Sequence, residues 1–418
     1  MMLSRVGLSV LLLLFSAVVQ GADAYRNGYW WNGSEFVQDT RFVEAGKFVA
    51  AHRVKQVSNS YDLDGAYMLP PLADAHNHNL QTPWLVDNFH SSYIDRGILY
   101  GAMLCGSHLN AGEAREGLRR ARLASIKVAG ACISSSDGHP LAMALASRGG
   151  RSETAPASLY DHSYIVVDAV GDIERKWPLI AAGAEDLVKI ILVHHEDQTR
   201  RGAPEYFGLN GLIVKVVMAL VPYLQERGLR VVAHTESAAD FSLAVAAGVD
   251  WVGHLPGYHW AEGKIAEDYR IAEATARLAA AKGIKVVATA GVVELFKNVS
   301  AAEKKRVQNL QKENLELLRT AGVELLSGSD QFQGSVIDEL IYLREHMHLD
   351  AVALLNTATR VTPKALFPER QVGELGPGFE ASFNAYPGNP LADFAVLRKP
   401  IAVVQQGEVL RPLAKQRD

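Results

Sequence analysis

Short apolar runs alternate with longer amphipathic segments between residues 67 and 330. Eight such runs are present, at residues 68–75, 97–105, 126–133, 187–193, 229–234, 249–254, 284–290 and 323–330. The segments 110–124, 211–228 and 302–322 place apolar residues at helical spacing. Strands that alternate with helices indicate a parallel sheet. Eight such units over roughly 250 residues are typical of a closed (β/α)8 TIM barrel, and we predict an α/β fold of this type.

The two ends of the chain follow a different pattern. Residues 25–66 and 380–413 alternate on period two, with Gly and Asn at turns and no long helical pattern. We expect these ends to pair into a small β-sandwich domain beside the barrel. The predicted division is a composite β domain of residues 25–66 and 371–418, and a barrel of residues 67–370.

One long connection interrupts the alternation after the third apolar run. Residues 134–186 contain the stretches SSSDGHP and RGGRSETAPAS. Long connections on barrels are usually either functional lids or disordered, and both interpretations stay open for this segment. It follows the C-terminal end of a predicted strand, the end at which barrel active sites form.

The first 24 residues have the pattern of a secretory signal peptide. Arg5 precedes an apolar run at 6–19, and Ala22-Asp23-Ala24 forms an A-x-A cleavage signature. The run is shorter than the roughly 20 residues that a membrane span needs. We therefore predict cleavage of residues 1–24, a mature protein that starts near Tyr25, and export to a periplasm or to the medium without a membrane span. An uncleaved anchor is the alternative.

Composition narrows the choice of partners. The 418 residues are 48% hydrophobic and carry 42 basic and 46 acidic side chains, which is typical of a globular protein and not of a disordered or fibrous one. Without a dense basic stripe, the sequence does not predict nucleic-acid binding, so a small molecule or a peptide is the expected partner. Cys105 and Cys132 are the two cysteines, both in apolar runs. Export would permit one bridge between them, but we expect buried free thiols because bridge geometry is demanding.

Polar residues stand at the ends of several predicted strands. His76 and His78 alternate along an extended segment and so face the same side, where they could hold one metal ion. Lys189 is a single cation in an aliphatic run, and such a lysine could also pair with a buried carboxylate. Later strand ends add His234, His254 and Asp330. These ligand types suit zinc-like ions, so we predict a metal site at the C-terminal face of the barrel.

Together these residues resemble the amidohydrolase superfamily in its binuclear, carboxylated-lysine form, and most of all the imidazolonepropionase and prolidase-like branch. The segment 69–78 (LPPLADAHNH) and the closing segments 356–367 and 372–383 add to the likeness. There are three departures. Pro71 stands where the family usually has Gly, residues 380–382 read Glu-Ala-Ser in place of Asp-Ala-Asp, and the sixth strand continues HLPGYH.

The resemblance implies two divalent metal ions, with zinc expected and manganese, cobalt or nickel as alternatives. His76, His78 and Asp330 would hold one ion and His234 and His254 the other. A carbamate on Lys189 would bridge the two ions, and a metal-bridged hydroxide would be the nucleophile. Asp330 would also be the catalytic residue that accepts the proton of the water and returns it to the leaving amine. Homo-oligomers are common in the resembled family.

The predicted function is that of an exported metal-dependent hydrolase. Its expected substrate is an amide: a peptide, an N-acyl amino acid or a cyclic amide. Two alternatives stay open: the same site could act on a lactone or a phosphoester, or the chain could be an inactive metal-binding relative.

Four further residues are candidate substrate contacts. They are His139, His195, Tyr258 and His259. His195 shares parity with Lys189, which would turn it to the pocket only if the strand continued that far. Glu236 lies two residues after His234, which differs from the H-x-x-E spacing of deaminases and weighs against deamination.

Overall fold

A computed structural model describes residues 21–123, 125–150, 153–297 and 299–412. The strands are β1 (Ala22–Trp31), β2 (Phe36–Glu44), β3 (Lys47–Val49), β4 (Val57–Asp62), β5 (Tyr67–Leu69), β6 (Leu72–Asn77), β7 (Ile98–Met103), β8 (Ile126–Val128), β9 (Ile133–Ser134), β10 (Ile165–Val166), β11 (Leu187–Ile191), β12 (Arg230–His234), β13 (Trp251–Val252), β14 (Lys285–Val287), β15 (Leu325–Leu326), β16 (Phe383–Tyr386), β17 (Ala402–Gln405) and β18 (Glu408–Arg411). The helices are α1 (Pro83–Asp95), α2 (His108–Arg120), α3 (Leu141–Ala146), α4 (Val170–Gly183), α5 (Val214–Gln225), α6 (Ala238–Ala247), α7 (Glu273–Ala281), α8 (Ala301–Thr320), α9 (Val336–His346), α10 (Ala351–Asn356) and α11 (Thr362–Leu366).

Parallel strands form the central part of the molecule in two sheets. One sheet has seven strands in the order β10-β9-β11-β12-β13-β14-β15, and the other has three in the order β6-β7-β8. Backbone hydrogen bonds cross from one sheet to the other beside β15, where the Ala75 amide donates to the Ser327 carbonyl over 2.8 Å. The predicted barrel-type α/β fold is confirmed, whereas its description as one closed eight-stranded sheet is not.

The split between the sheets falls inside the third predicted strand. Residues 126–133 form two short strands, β8 and β9, that belong to different sheets. Gly130 lies between them with a φ of +70°, and a Cβ there would lie 2.9 Å from the Gly183 carbonyl carbon. A left-handed residue in close contact with a neighbouring helix end breaks an extended segment, and only glycine fits there.

Strands from both chain ends share one eight-stranded sheet, as the period-two pattern predicts. Its order is β18-β17-β16-β5-β1-β2-β3, with β4 paired to β1. The two ends join where β16 pairs antiparallel with β5. Within the described residues these strands form a single sheet, so the β-sandwich and the domain boundaries stay predictions.

The predicted signal peptide lies mostly outside the described residues, which begin at 21. The predicted cleavage signature at 22–24 lies within the described residues. Ala22 is the first residue of β1, and both Ala22 and Ala24 are buried. Cleavage before Tyr25 would thus remove the first three residues of a paired strand. No helix in the described ranges is long and apolar enough to cross a membrane.

The described residues of the connection at 134–186 include regular secondary structure. It contains α3, β10 and α4, and β10 pairs with β9 at the edge of the seven-stranded sheet. The described residues of this connection therefore form a folded excursion beside the strand ends.

The expectation of free thiols is wrong. Cys105 and Cys132 form a disulfide across 27 residues of sequence, with their Cα atoms 5.0 Å apart. The two residues follow neighbouring parallel strands, β7 and β8, whose C-terminal ends bring the side chains together. Sequence spacing cannot show that proximity.

Candidate active site

The C-terminal strand ends bring the six predicted metal ligands to one place. These residues are His76, His78, Lys189, His234, His254 and Asp330, and all but His76 line one open cavity. Ligand atoms of His76, His78 and Asp330 all lie within 4.8 Å of one another, a spacing that could hold one metal ion. The assignment of these six side chains as ligands stays a prediction, but their convergence is a structural observation.

The two histidines at the C-terminal end of β6, His76 within it and His78 directly after it, are fixed through their Nδ1 atoms. His76 Nδ1 lies 2.8 Å from the Gly253 carbonyl oxygen, and His78 Nδ1 lies 3.0 Å from Gln81 Oε1. Their Nε2 atoms therefore face inward, where His78 Nε2 lies 2.9 Å from Asp330 Oδ1. An imidazole held by a carbonyl at one nitrogen presents the other as a metal ligand.

Asp330 occupies a constrained backbone position. Its φ is +50°, and its amide donates to the His76 carbonyl over 2.7 Å. Burial raises the pKa of Asp330, but the charge of His76 and the hydrogen bond from His78 hold it well below its usual range. The carboxylate is thus an anion that faces three imidazoles, including His254, whose Nε2 lies 3.6 Å from Oδ2.

Asp74 supports this arrangement from below. Its buried carboxylate accepts hydrogen bonds from the His76 amide, the Ser329 amide and the Ser329 hydroxyl at 3.2, 3.1 and 2.7 Å. Burial raises its pKa to about 6 in spite of these bonds. Asp74 therefore ties the strand end that carries His76 and His78 to the strand end that carries Asp330.

Lys189 lies in the middle of β11 and is buried. Its Nζ is 2.7 Å from His76 Nε2, so its hydrogen-bonding neighbour is an imidazole and not the carboxylate of the alternative interpretation. Burial lowers its pKa to about 8, against an opposite effect of Asp330. The neutral amine is consequently accessible near neutral pH.

His234 and His254 form the opposite side of the centre. Their ring centroids are 4.6 Å apart, and His254 Nδ1 lies 2.8 Å from the Thr289 hydroxyl. Burial and the nearby charge of His234 hold the pKa of His254 well below its usual range, and burial with the charge of Lys189 does the same for His76. Neutral imidazole is the form that binds metals, so this donor set fits divalent ions.

The structure adds Glu236 to the predicted residues. Its Oε1 lies 3.4 Å from His234 Nε2 and accepts a hydrogen bond from the Tyr258 hydroxyl at 3.2 Å. Burial raises the pKa of Glu236, but the hydrogen bond to His234 and the charges of neighbouring imidazoles lower it to about 2. The sequence draws attention to this residue only as a mismatch to the deaminase spacing, because its approach to Tyr258 depends on the loop after β13.

Three of the four candidate substrate contacts line the cavity. His139 stacks on His234 with ring centroids 5.2 Å apart, and burial together with the charge of His234 lowers its pKa to about 3. Tyr258 stacks on His254 at 4.9 Å, and His259 lies beside it on the cavity wall. Their predicted role in substrate binding is untested by this geometry alone.

His195 is placed differently. Strand β11 ends at Ile191, so the parity argument does not reach His195, whose Nδ1 bonds Asp240 Oδ1 at 2.9 Å outside the cavity lining. Its neighbour His194 is buried, with its Nε2 4.0 Å from Glu236 Oε2. The backbone turns at His194, where φ is +44°, so strand alternation does not fix the direction of either histidine side chain.

The cavity over the centre has a volume of about 870 Å³. Apolar side chains, including Met143, Leu295 and Phe332, surround the polar floor, and the Cys105–Cys132 disulfide lines one wall. A cavity of this size with convergent polar groups is the usual form of a site for a small molecule or a short peptide.

Comparisons with known proteins agree with this fold. The sequence matches the amidohydrolase family over residues 179–410. Among solved structures, ochratoxinase of A. niger superposes with a TM-score of 0.73 at 17% identity, covering 94% of this chain and 96% of that one. A Xaa-Pro dipeptidase with bound methionine gives 0.72 at 19% identity, covering 94% and 100%. Molinate hydrolase gives 0.62 at 18% identity, covering 95% and 98%. No curated protein sequence matches the chain.

The family match, together with the barrel-type fold, thus places the chain in a hydrolase class that acts on carbon–nitrogen bonds. The family match covers more than half of the chain, and the protein belongs to the amidohydrolase family.

Proposed function

We propose that this protein is an exported, metal-dependent amidohydrolase that cleaves the amide bond of a peptide, an N-acyl amino acid or a cyclic amide. The observation that carries the proposal is the convergence of four histidines at strand ends, Lys189 and Asp330 beneath one cavity of about 870 Å³. Likeness to a Xaa-Pro dipeptidase and to ochratoxinase supports the fold. We infer the amide bond of the proposed substrate by analogy with such neighbours.

Divalent metal ions would occupy the centre. His76, His78 and Asp330 would hold one ion, His234 and His254 a second, and a carbamate formed on neutral Lys189 would link them. Bound ions of this kind lower the pKa of water and polarise a carbonyl group. Imidazole and carboxylate ligands accept zinc, manganese, cobalt or nickel, and we propose zinc.

The chain's own residues would position the reactants and move the proton. Asp330 would accept a proton from the attacking water and return it to the leaving amine, since its Oδ atoms face the centre of the site. Asp74 would hold Asp330 and His76 in register through Ser329. His139 and Tyr258 would contact the substrate from the cavity wall.

The Cys105–Cys132 disulfide supports the proposal of export, because such bonds persist in oxidising compartments. Mass spectrometry of the mature protein from the periplasm or the medium would test it. We expect a chain that lacks the apolar run at 6–19, and full-length protein retained in the cytoplasm would contradict export.

A hydrolysis screen of the metal-loaded protein tests the activity. Dipeptides including those that end in Pro, N-acyl amino acids and cyclic amides would be compared with lactones and phosphotriesters, with the release of amine, ammonia and acid followed separately. Asp330→Asn is the blank, since it keeps the size of the side chain and removes the proton acceptor. We expect amide turnover that the blank lacks. Turnover of lactones or phosphotriesters alone would contradict the proposed bond, and no turnover with metals bound would favour an inactive relative.

A further inference from the structure

A second cavity adjoins the one over the active site. It has a volume of about 430 Å³, and Tyr258, His259 and Phe296 line both cavities. The shared wall makes the smaller cavity an extension of the site along the loops that follow β13 and β14. A substrate whose amide lies on the strand ends could therefore extend a substituent past these three rings.

The shared wall is fixed on its active-site side. Tyr258 is buried, its ring stacks on His254, and its hydroxyl donates to Glu236. Further out, His259 lies against Phe296 with ring centroids 5.2 Å apart. These contacts hold the wall before any ligand arrives, which lowers the entropic cost of binding.

Aromatic and branched side chains form most of the lining beyond the wall. The Trp260 indole donates to the Gly257 carbonyl over 3.0 Å and stacks on Tyr269 at 5.4 Å. Val293 and Val307 are buried beneath it. Flat rings held by such contacts favour a flat apolar ligand, since aromatic pairs gain from stacked and edge-to-face packing.

Positive charge lies at the open side of this cavity. Lys297 and Arg306 both line it, and the Arg306 guanidinium carbon is 5.7 Å from the Trp260 ring centroid. The one acid in the lining, Glu303, accepts hydrogen bonds from the Ser300 amide and hydroxyl and lies 3.9 Å from Arg306. Two cations therefore face one carboxylate that is already held in the cap of α8.

We propose that the smaller cavity binds an aromatic ring that carries a carboxylate, as the distal half of the amide substrate. The ring would pack between Trp260 and Phe296, and the carboxylate would lie beside Lys297 and Arg306. This substrate class rests on the proposed amidohydrolase function and refines it.

Matched substrates with and without the distal carboxylate test the subsite. On the amine side the pair is 4-acetamidobenzoate and acetanilide, and on the acyl side it is N-(4-carboxybenzoyl)glycine and N-benzoylglycine. N-acetylglycine is the small reference amide. A charge-assisted hydrogen bond to a carboxylate strengthens binding by a factor of about ten or more. We therefore expect kcat/KM to be about tenfold higher for the substrate with the carboxylate in at least one pair.

Variants locate the effect. The double variant Lys297→Gln/Arg306→Gln should abolish the preference for the carboxylate, and Phe296→Ala should lower kcat/KM for the aromatic substrates by a larger factor than for N-acetylglycine. Lys312→Gln/Arg319→Gln is the matched control, since it also removes two positive charges, from exposed positions of α8 outside the lining of this cavity. Equal kcat/KM within each pair, or a preference that survives the double variant, would overturn the subsite.

Failure of the proposed function gives a different result. If no amide turns over, including N-acetylglycine, the hydrolase proposal fails, and calorimetric titration of the full chain with 4-ethylbenzoate and the neutral 4-ethylbenzamide then decides the subsite. Tighter binding of the acid that is lost in Lys297→Gln/Arg306→Gln would support it. Equal binding of acid and amide, or no binding of either, would overturn it.

Discussion

At the scale of single residues, the centre combines groups that are unfavourable when buried alone. A lysine, four imidazoles and an aspartate converge there, and Lys189 Nζ lies 2.7 Å from His76 Nε2. Buried ionisable groups of this kind are costly unless they are paired or bind metal. We therefore expect that bound metal ions stabilise the folded site.

Changing Lys189→Ala should empty at least one metal position. The change removes the side chain that would bridge the ions and leaves the five other ligands. Metal content per chain, measured by inductively coupled plasma mass spectrometry, should fall by about one ion. Added short carboxylates should restore part of the lost metal. Lys215→Ala, an exposed lysine of α5, is the control. Two tightly held ions in Lys189→Ala would contradict the bridging role.

The six proposed ligands could be predicted from sequence because each lies within or shortly after one of the apolar runs, and the C-terminal ends of such runs meet at one face of a barrel. Other site residues could not. Glu236 reaches His234 and Tyr258 through a loop, and Asp74 acts through Ser329, 255 positions away in sequence. The direction of the His195 side chain could not be predicted either, because it depends on where β11 ends.

At the scale of elements, the alternation of strands and helices was sufficient to predict the parallel architecture but not its breaks. The third strand divides at Gly130, and the last strands shorten to two residues each in β13 and β15. Their extended runs continue as irregular backbone that carries His254 and Asp330 into the site. Apolar sequence marks burial, and hydrogen-bond pairing decides where a strand ends.

The disulfide links two of these elements and should stabilise the fold. The double variant Cys105→Ala/Cys132→Ala frees a loop of 27 residues, for which chain entropy predicts a loss of about 3.5 kcal/mol in the free energy of unfolding. Urea unfolding measures it. Reductant should destabilise the wild type to a similar extent and leave the variant unchanged. Two free thiols in the oxidised, denatured wild type would contradict the assignment.

Glu339 of α9 links that helix to the turn after β14, and it should make stability depend on pH. Its buried carboxyl accepts from the Ala290 and Gly291 amides at 2.8 and 2.7 Å, and burial raises its pKa from 4.5 to about 8. Between these values the unfolded chain loses a proton that the folded chain keeps. This contribution to stability is therefore present at low pH and is lost as pH rises to about 8, by at most ~1.4 kcal/mol per pH unit.

Urea unfolding at pH 5.5 and 7.5 measures this contribution as a difference between proteins. The wild type should lose more stability than Glu339→Gln over that interval. Glu345→Gln, an exposed change on the same helix, should behave like the wild type. A pH dependence that is equal in wild type and Glu339→Gln would show that this carboxyl does not titrate in the interval.

At the scale of the whole molecule, the barrel-type core and the sheet at its side are built from interleaved parts of the chain. Strand β16 returns from the C-terminal half to pair with β5 directly before β6, the strand that leads to His76 and His78. Period-two patterning could predict that the ends pair, whereas the number of sheets depends on contacts that the pattern does not encode. Family membership agrees with this plan as a whole.

The most direct test of the central claim is amide hydrolysis as a function of metal content. Chelator-treated protein would be titrated with zinc or manganese while bound ions per chain and turnover are measured on the same sample. We expect no turnover without metal and full turnover near two ions per chain, with Asp330→Asn inactive at every metal content. Full amide turnover by metal-free protein, or by Asp330→Asn, would contradict the account.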